Sequence, residues 1–187
     1  MKLDPNERNV TNRHWLLADL HLGHHNVLRH DSRPWDDIIA HDAAMTIACA
    51  APGQKNRTLW LLGDIASRKA GLEEFMKVQR GRWGKIILIR GNHDDKIAWR
   101  HRDLFDEAHE AIYVRLTRDV RMYLSHYAHR TWRGSHRGTY HLHGHSHGAL
   151  PRHGRSMDVG APCVGYKPIC LTECIEILEA ALPTNHH

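Results

Sequence analysis

Five short fragments of this 187-residue chain carry side chains suited to holding metal ions. They are Asp19-Leu20-His21, Gly63-Asp64, Gly91-Asn92-His93-Asp94, Ser125-His126 and Gly144-His145-Ser146-His147. Their aspartate, asparagine and histidine donors suit two cations bound side by side. Such a pair can grip a phosphate ester and generate hydroxide at neutral pH. In an extended backbone, residues i and i+2 face the same way. Asp19 and His21 can therefore meet one ion, and His145 and His147 repeat the spacing. Asn92 and His93 are adjacent, so in extended chain one can face a metal and the other the reacting group. Gly63, Gly91 and Gly144 precede three clusters, where tight turns or close backbone approach are needed.

No cysteine lies near these positions. Nitrogen and oxygen donors favour Mn, Fe, Zn, Co or Ni over Cu(I) or an iron–sulfur cluster. Two divalent ions are expected, with manganese favoured, and Asp64 can bridge them through its two oxygens.

Three apolar runs must position the first clusters: 14–18, 58–62 and 85–89. Each lacks clean alternation, as expected of a strand covered on both faces. A cluster follows each run, and ligands collect beyond the carboxyl ends of strands in open α/β sheets. Helices are expected over 36–50, starting near Asp36 or Asp37, over 71–79, and in part over 94–109. Residues 111–117 and 120–125 read as a hairpin ending at His126. Residues 140–148 read as a strand entering a turn, with His141 and His143 as strand residues. A short strand is expected over 156–160. The segment 171–182 reads as a helix with Thr172 as N-cap. The expected class is α/β: a βαβαβ first half, then mostly antiparallel strands, giving a two-sheet β-sandwich flanked by α-helices.

The ordered set resembles the calcineurin-like metallophosphoesterase superfamily, whose pattern is DxH, GD, GNH(D/E), H and GHxH. The match runs from Asp19 to His147, most of the chain. The resemblance implies one metal held by Asp19, His21, Asp64 and His147. A second is implied on Asp64, Asn92, His126 and His145. His93 resembles the family's catalytic histidine, which is not a permanent ligand. The activity implied is hydrolysis of phosphate mono- or diesters by metal-bound hydroxide. Many members read GDxxDRG, where the later aspartate orients the catalytic histidine and the arginine holds phosphate. Here the segment is GDIASR, with Ser67 at the aspartate position and Arg68 at the arginine position. Asp94 is the substitute for orienting His93. Arg68 and His24 are the candidates for touching substrate, and protein-phosphatase-like activity is disfavoured.

The formal net charge is +5, and it comes from 19 arginines against 7 lysines. Arginine forks match phosphate oxygens. Arg130, Arg133 and Arg137 surround Trp132 directly after His126, a mix that could stack bases and track a backbone. A nuclease or nucleic-acid end-processing enzyme is therefore the second reading, behind a small phosphate-ester substrate. A non-catalytic interaction scaffold on the same fold is the third. Arg33 is expected to cover a helix start, with a reach to phosphate as the alternative. No apolar run reaches the length of a membrane span, and the first ten residues lack an apolar leader core. Cys49, Cys163, Cys170 and Cys174 show no CxxC spacing and read as reduced, mostly buried thiols of a cytoplasmic protein. One domain spanning 1–187 is expected. His186 and His187 are set aside, and the sequence leaves the oligomeric state open.

Overall fold

The computed structural model describes residues 3–181. The last residue of the expected 171–182 helix and the two set-aside histidines lie outside that range. Helix α1 (Pro5–Thr11) opens the chain. Asp4 and Glu7 form a reciprocal capping box around it, with Pro5 in its first turn. Strand β1 (His14–Leu17), short helix α2 (Val27–His30) and helix α3 (Ile38–Ala50) follow. Asp37 caps α3 by accepting from the Ala40 amide at 2.8 Å. Then come β2 (Thr58–Leu61), α4 (Lys69–Arg82) and β3 (Lys85–Ile89). Helix α4 runs past both ends of the expected 71–79.

The expectation of a part-helical 94–109 is corrected. Residues 95–101 close in turns, Arg102–Leu104 make one 3₁₀ turn, and Glu107–His109 form β4 beside β3. Ala98 and Phe105 are buried from this irregular chain, so their apolar spacing needs no helix to satisfy it.

The second half supplies β5 (Ala111–Arg115), β6 (Arg121–Ser125), β7 (Tyr140–His143), β8 (Ser156–Asp158), β9 (Ile169–Cys170) and α5 (Leu171–Ala180). Two sheets result, ordered β4-β3-β2-β1-β9 and β5-β6-β7-β8. The chain is thus a two-sheet α/β sandwich flanked by helices. In the first sheet β1 to β4 are parallel, and β9 joins the edge of β1 antiparallel. The expected β5–β6 hairpin forms, but "mostly antiparallel" is corrected: β6, β7 and β8 run parallel. The long connections 126–139 and 144–155 carry the chain back before each next strand. This parallel pairing sets the residues after β6 and β7 at one end of the sheet, with Leu124 opposite Leu142. Thr172 does not cap α5. Its hydroxyl is buried against Thr11 at 2.6 Å and Asn12 at 2.7 Å, tying α5 to the end of α1.

The strands bury alternate residues on opposite sides. Leu17, Leu59, Leu61, Ile86 and Leu88 pack with Met45 and Cys49 of α3 and with Phe75 and Met76 of α4. Leu16, Trp60, Ile87 and Ile89 face Met122, Leu124, Tyr140 and Leu142 of the second sheet, with α5 closing that core. A bridge between Ala18 and Gly160 joins the ends of β1 and β8, so the two sheets meet where the motif residues emerge. The four cysteines are free thiols, three buried and Cys163 exposed. No helix among the described residues is long and apolar enough to cross a membrane.

Candidate metal centre

The loops after β1, β2, β3, β6 and β7 converge on one basin. Asp19, His21 and His147 form one group with donor atoms within 4.8 Å of one another, and Asp64, His126 and His145 form a second. Asp64 joins the two, with Oδ2 at 3.4 Å from His126 Nε2 and 3.8 Å from His21 Nε2. Asn92 Oδ1 lies 3.0 Å from His126 Nε2, adding an amide oxygen to the second group.

The spacing argument from extended chain is corrected. Asp19, His21, Asp64, His145 and His147 all have left-handed backbones, with φ between 46° and 66°. Non-glycine residues rarely take this conformation, and such strain collects at functional sites. The curls bring Asp19 and His21 together with His147 and send His145 to the Asp64–His126 group, with Leu20 buried between Asp19 and His21. Asn92 and His93 likewise sit in a turn. Backbone bonds hold the curls. The Asp19 amide donates to Gly63 O at 3.0 Å, and the His21 amide donates to Asp64 O at 2.9 Å. Close approach explains two glycines: a Cβ on Gly63 would lie 2.5 Å from His126 Nδ1, and one on Gly144 would lie 2.7 Å from Asp19 Oδ2.

Hydrogen bonds aim the imidazoles. His126 Nδ1 meets Leu62 O at 2.8 Å, which turns Nε2 toward Asp64 and Asn92. His147 Nδ1 meets Asp31 Oδ1 at 2.7 Å, which turns Nε2 toward Asp19, 3.5 Å away. Partners of this kind fix ring orientation and raise ligand basicity. The sequence reading missed Asp31 because nothing in its spacing marks it. Arg33 extends the brace. Its buried guanidinium donates to Asp31 Oδ2, to Asp19 O at 2.7 Å and to Leu20 O at 2.9 Å, and contacts His41 Nε2 at 2.8 Å. A guanidinium only donates, so that His41 nitrogen accepts. His41 Nδ1 then donates to Asp42, whose other oxygen takes the Gly23 amide at 2.8 Å. Arg33 thus braces the Asp19 loop rather than covering a helix start.

The expected role of Asp94 is corrected. Its carboxylate accepts from the amides of Gly91 at 2.7 Å and of Asp64 and Ile65 at 3.0 Å. Asp94 therefore pins the Gly91 turn to the Asp64 loop instead of orienting His93. The His93 amide donates to Asp64 Oδ1 at 2.8 Å, and its exposed ring lies 5.4 Å from that of His21. His24 sits beside both, 5.6 Å from the His21 ring and 5.9 Å from the His93 ring. Its Nδ1 is buried without a hydrogen-bond partner. The basin, about 180 Å³, is lined by His21, His24, Asp64, Asn92, His93, His145 and His147 among others. Arg68 is not among the lining residues. Its exposed guanidinium packs beside Gly23, where a Cβ would come within 3.1 Å of Nε.

The donor set asks for positive charge. Asp19 and Asp64 are almost fully buried. Burial pushes the Asp19 carboxyl above its ordinary range. Hydrogen bonds to Asp19 and Asp31 push His147 up to about 10. Burial works against ionised Asp64, but His126 and the His93 amide hold its carboxyl below the usual value. Burial, helped by the positive charge of Arg33 and by His147 and His93, drives His21 down to about 3, leaving a neutral imidazole with a free lone pair. Two acids, imidazole nitrogens and an amide oxygen fit divalent cations of the first transition row.

No family model matches the chain. Over 81 residues the chain is 36% identical to the Gene 66 protein of Mycobacterium phage L5, a stretch that covers 43% of this chain and 39% of that protein. The chain therefore spans about two fifths of that curated relative's length. A crystal structure of a protein of unknown function from Aquifex aeolicus superposes with TM-score 0.69, over 88% of this chain and 98% of that one. At 21% identity that likeness concerns the fold alone. The phosphopantetheinyl hydrolase PptH of Mycobacterium tuberculosis gives TM-score 0.39 at 15% identity, over 62% of this chain and 42% of that one, too little overlap to carry an argument.

Proposed function

We propose that this chain is a metal-dependent phosphoesterase of the calcineurin-like type, with two divalent cations, manganese favoured, side by side in the basin. The convergence of the Asp19–His21–His147 and Asp64–His126–His145 groups on a shared Asp64 carries this reading. Bound there, the cations would lower the pKa of a water and neutralise charge on phosphoryl oxygens. The chain's own residues supply the rest. Asp64 and Asn92 orient around His126, and Asp31 fixes the ring of His147. His93, exposed at the basin mouth, donates a hydrogen bond or proton to the departing oxygen. His24, which lines the basin beside His21 and His93, would contact the ester.

A small phosphate ester remains ahead of nucleic acid. Two of the three arginines after His126 are engaged within the chain. Arg133 stacks on Tyr113 at 4.4 Å, and Arg137 turns onto His136 at 3.1 Å. The test is hydrolysis of an activated aryl phosphate ester by metal-free and Mn²⁺-loaded protein. Chelation should abolish turnover and Mn²⁺ should restore it. Full activity in metal-free protein would overturn the proposal.

A further inference from the structure

A cleft of about 670 Å³ lies against the second sheet, next to the metal basin. His143 of β7 and Met157 of β8 contribute to its wall. Arg130 reaches it from the β6–β7 connection, and Arg152 from the β7–β8 connection. The turn at 144–148 contributes to both, with His147 lining the basin and Gly148 lining the cleft.

Both arginines are exposed, with guanidiniums that no carboxylate among the described residues ties down. Arg33, Arg80, Arg90 and Arg155 are each paired with a carboxylate. Among the described residues, neither Arg130 nor Arg152 has an ion pair or a side-chain hydrogen bond. A carboxylate does line the cleft, that of Asp158. Its oxygens are already engaged by the Gly160 amide at 2.7 Å, the Ser146 hydroxyl at 2.8 Å and the Gly148 amide at 3.0 Å. Leu150, Pro151 and Met157 give the cleft an apolar side. An apolar wall with two uncommitted planar cations matches an organic body bearing an anionic group.

We propose that this cleft is a substrate subsite, which seats the organic arm of a phosphodiester and binds a second anionic group on that arm through Arg130 and Arg152. The inference rests on the phosphoesterase reading of the adjoining basin. The basin has room for the reacting phosphoryl group, and the cleft has the volume of a small-molecule site rather than a track for a polymer.

Two esters that differ only in the second anion test it: thymidine 5′-(4-nitrophenyl phosphate), with and without a 3′-phosphate. The Mn²⁺-loaded full chain should favour the 3′-phosphorylated ester by about tenfold in KM, the scale of one charge-assisted contact. The R130A/R152A variant should bring that preference to within about twofold, and the R133A variant, outside the cleft, should keep it. An unchanged preference in R130A/R152A overturns the subsite, as does a wild type that hydrolyses both esters alike. If wild type hydrolyses neither, the phosphoesterase reading has failed, and equilibrium binding of thymidine 3′,5′-bisphosphate to metal-free protein decides the cleft separately. Binding that R130A/R152A loses supports the subsite, and no binding overturns it. A loss in that variant confined to single-stranded DNA affinity and its salt dependence would assign the cleft to a polymer instead and overturn the proposal.

Discussion

Asp19, His21 and His147 carry a chain of side-chain braces on top of the backbone bonds that hold their curls, whereas Asp64, His126 and His145 are braced mostly by contacts to main chain. In the first group Asp31 holds His147, Arg33 holds Asp31 and the Asp19–Leu20 carbonyls, and His41 with Asp42 backs Arg33. In the second, His126 rests on Leu62 O and Asp64 takes the His93 amide, while Asp94 pins the loops through three backbone amides. A side-chain brace can be loosened one contact at a time. A main-chain brace is part of the fold, so damage there should appear as lost stability.

His93 belongs to neither brace as a ligand, so its removal should cost chemistry alone. His93→Ala should keep both ions and slow turnover by about 10²–10⁴-fold, less for esters with good leaving groups. Metal content and single-turnover rates check this, and lost metal would make His93 a ligand. Asp94→Ala leaves three buried amides without their acceptor. Its unfolding free energy in denaturant should fall by about 2–4 kcal/mol. A smaller change than that seen for Asp31→Asn would reverse the contrast between the braces. Asp31→Asn should weaken one of the two metal affinities by about 10–100-fold and spare the other. Calorimetric titration separates the two, and equal weakening would mean that the groups are not independently braced.

The smallest effect concerns pH in the metal-free chain. His147 is raised from 6.5 to about 10 by Asp19 and Asp31, so its contribution is full below pH 6.5 and is lost as pH rises toward 10. His141, buried in β7, is driven down to about 3, so stability falls as pH drops from 6.5 toward 3. Melting temperature should therefore decline on both sides of neutrality. His147→Gln should flatten the alkaline limb and leave the acid limb. An alkaline limb of the same slope in that variant would remove His147 as its cause.

The main-chain brace was the legible one. Gly63-Asp64 and Gly91–Asp94 announce tight loops after apolar runs, and those runs became β2 and β3. The capping box of Asp4 and Glu7 was equally readable, though the sequence reading passed over α1. The curl of Asp19, His21, His145 and His147 was not readable, because aspartate and histidine do not announce a left-handed backbone as glycine does. Nor was the direction of β7, which depends on a connection without regular strand or helix pattern. Asp31, Arg33, His41 and Asp42 meet the site only through the fold of α2 and α3, so no spacing marks them. The candidate ligands were read as a set from their order along the chain. The side chains that aim His147 required the structure.

Metal stoichiometry in wild type and Asp64→Asn tests the shared-carboxylate centre most directly. Dialysis against Mn²⁺ followed by elemental analysis should give two ions per chain in wild type, with electron paramagnetic resonance showing them coupled. Asp64→Asn should lose the coupling and most of the bound metal, because Asp64 faces both groups. Two coupled ions surviving in that variant, or a single uncoupled ion in wild type, would contradict the two-cation centre.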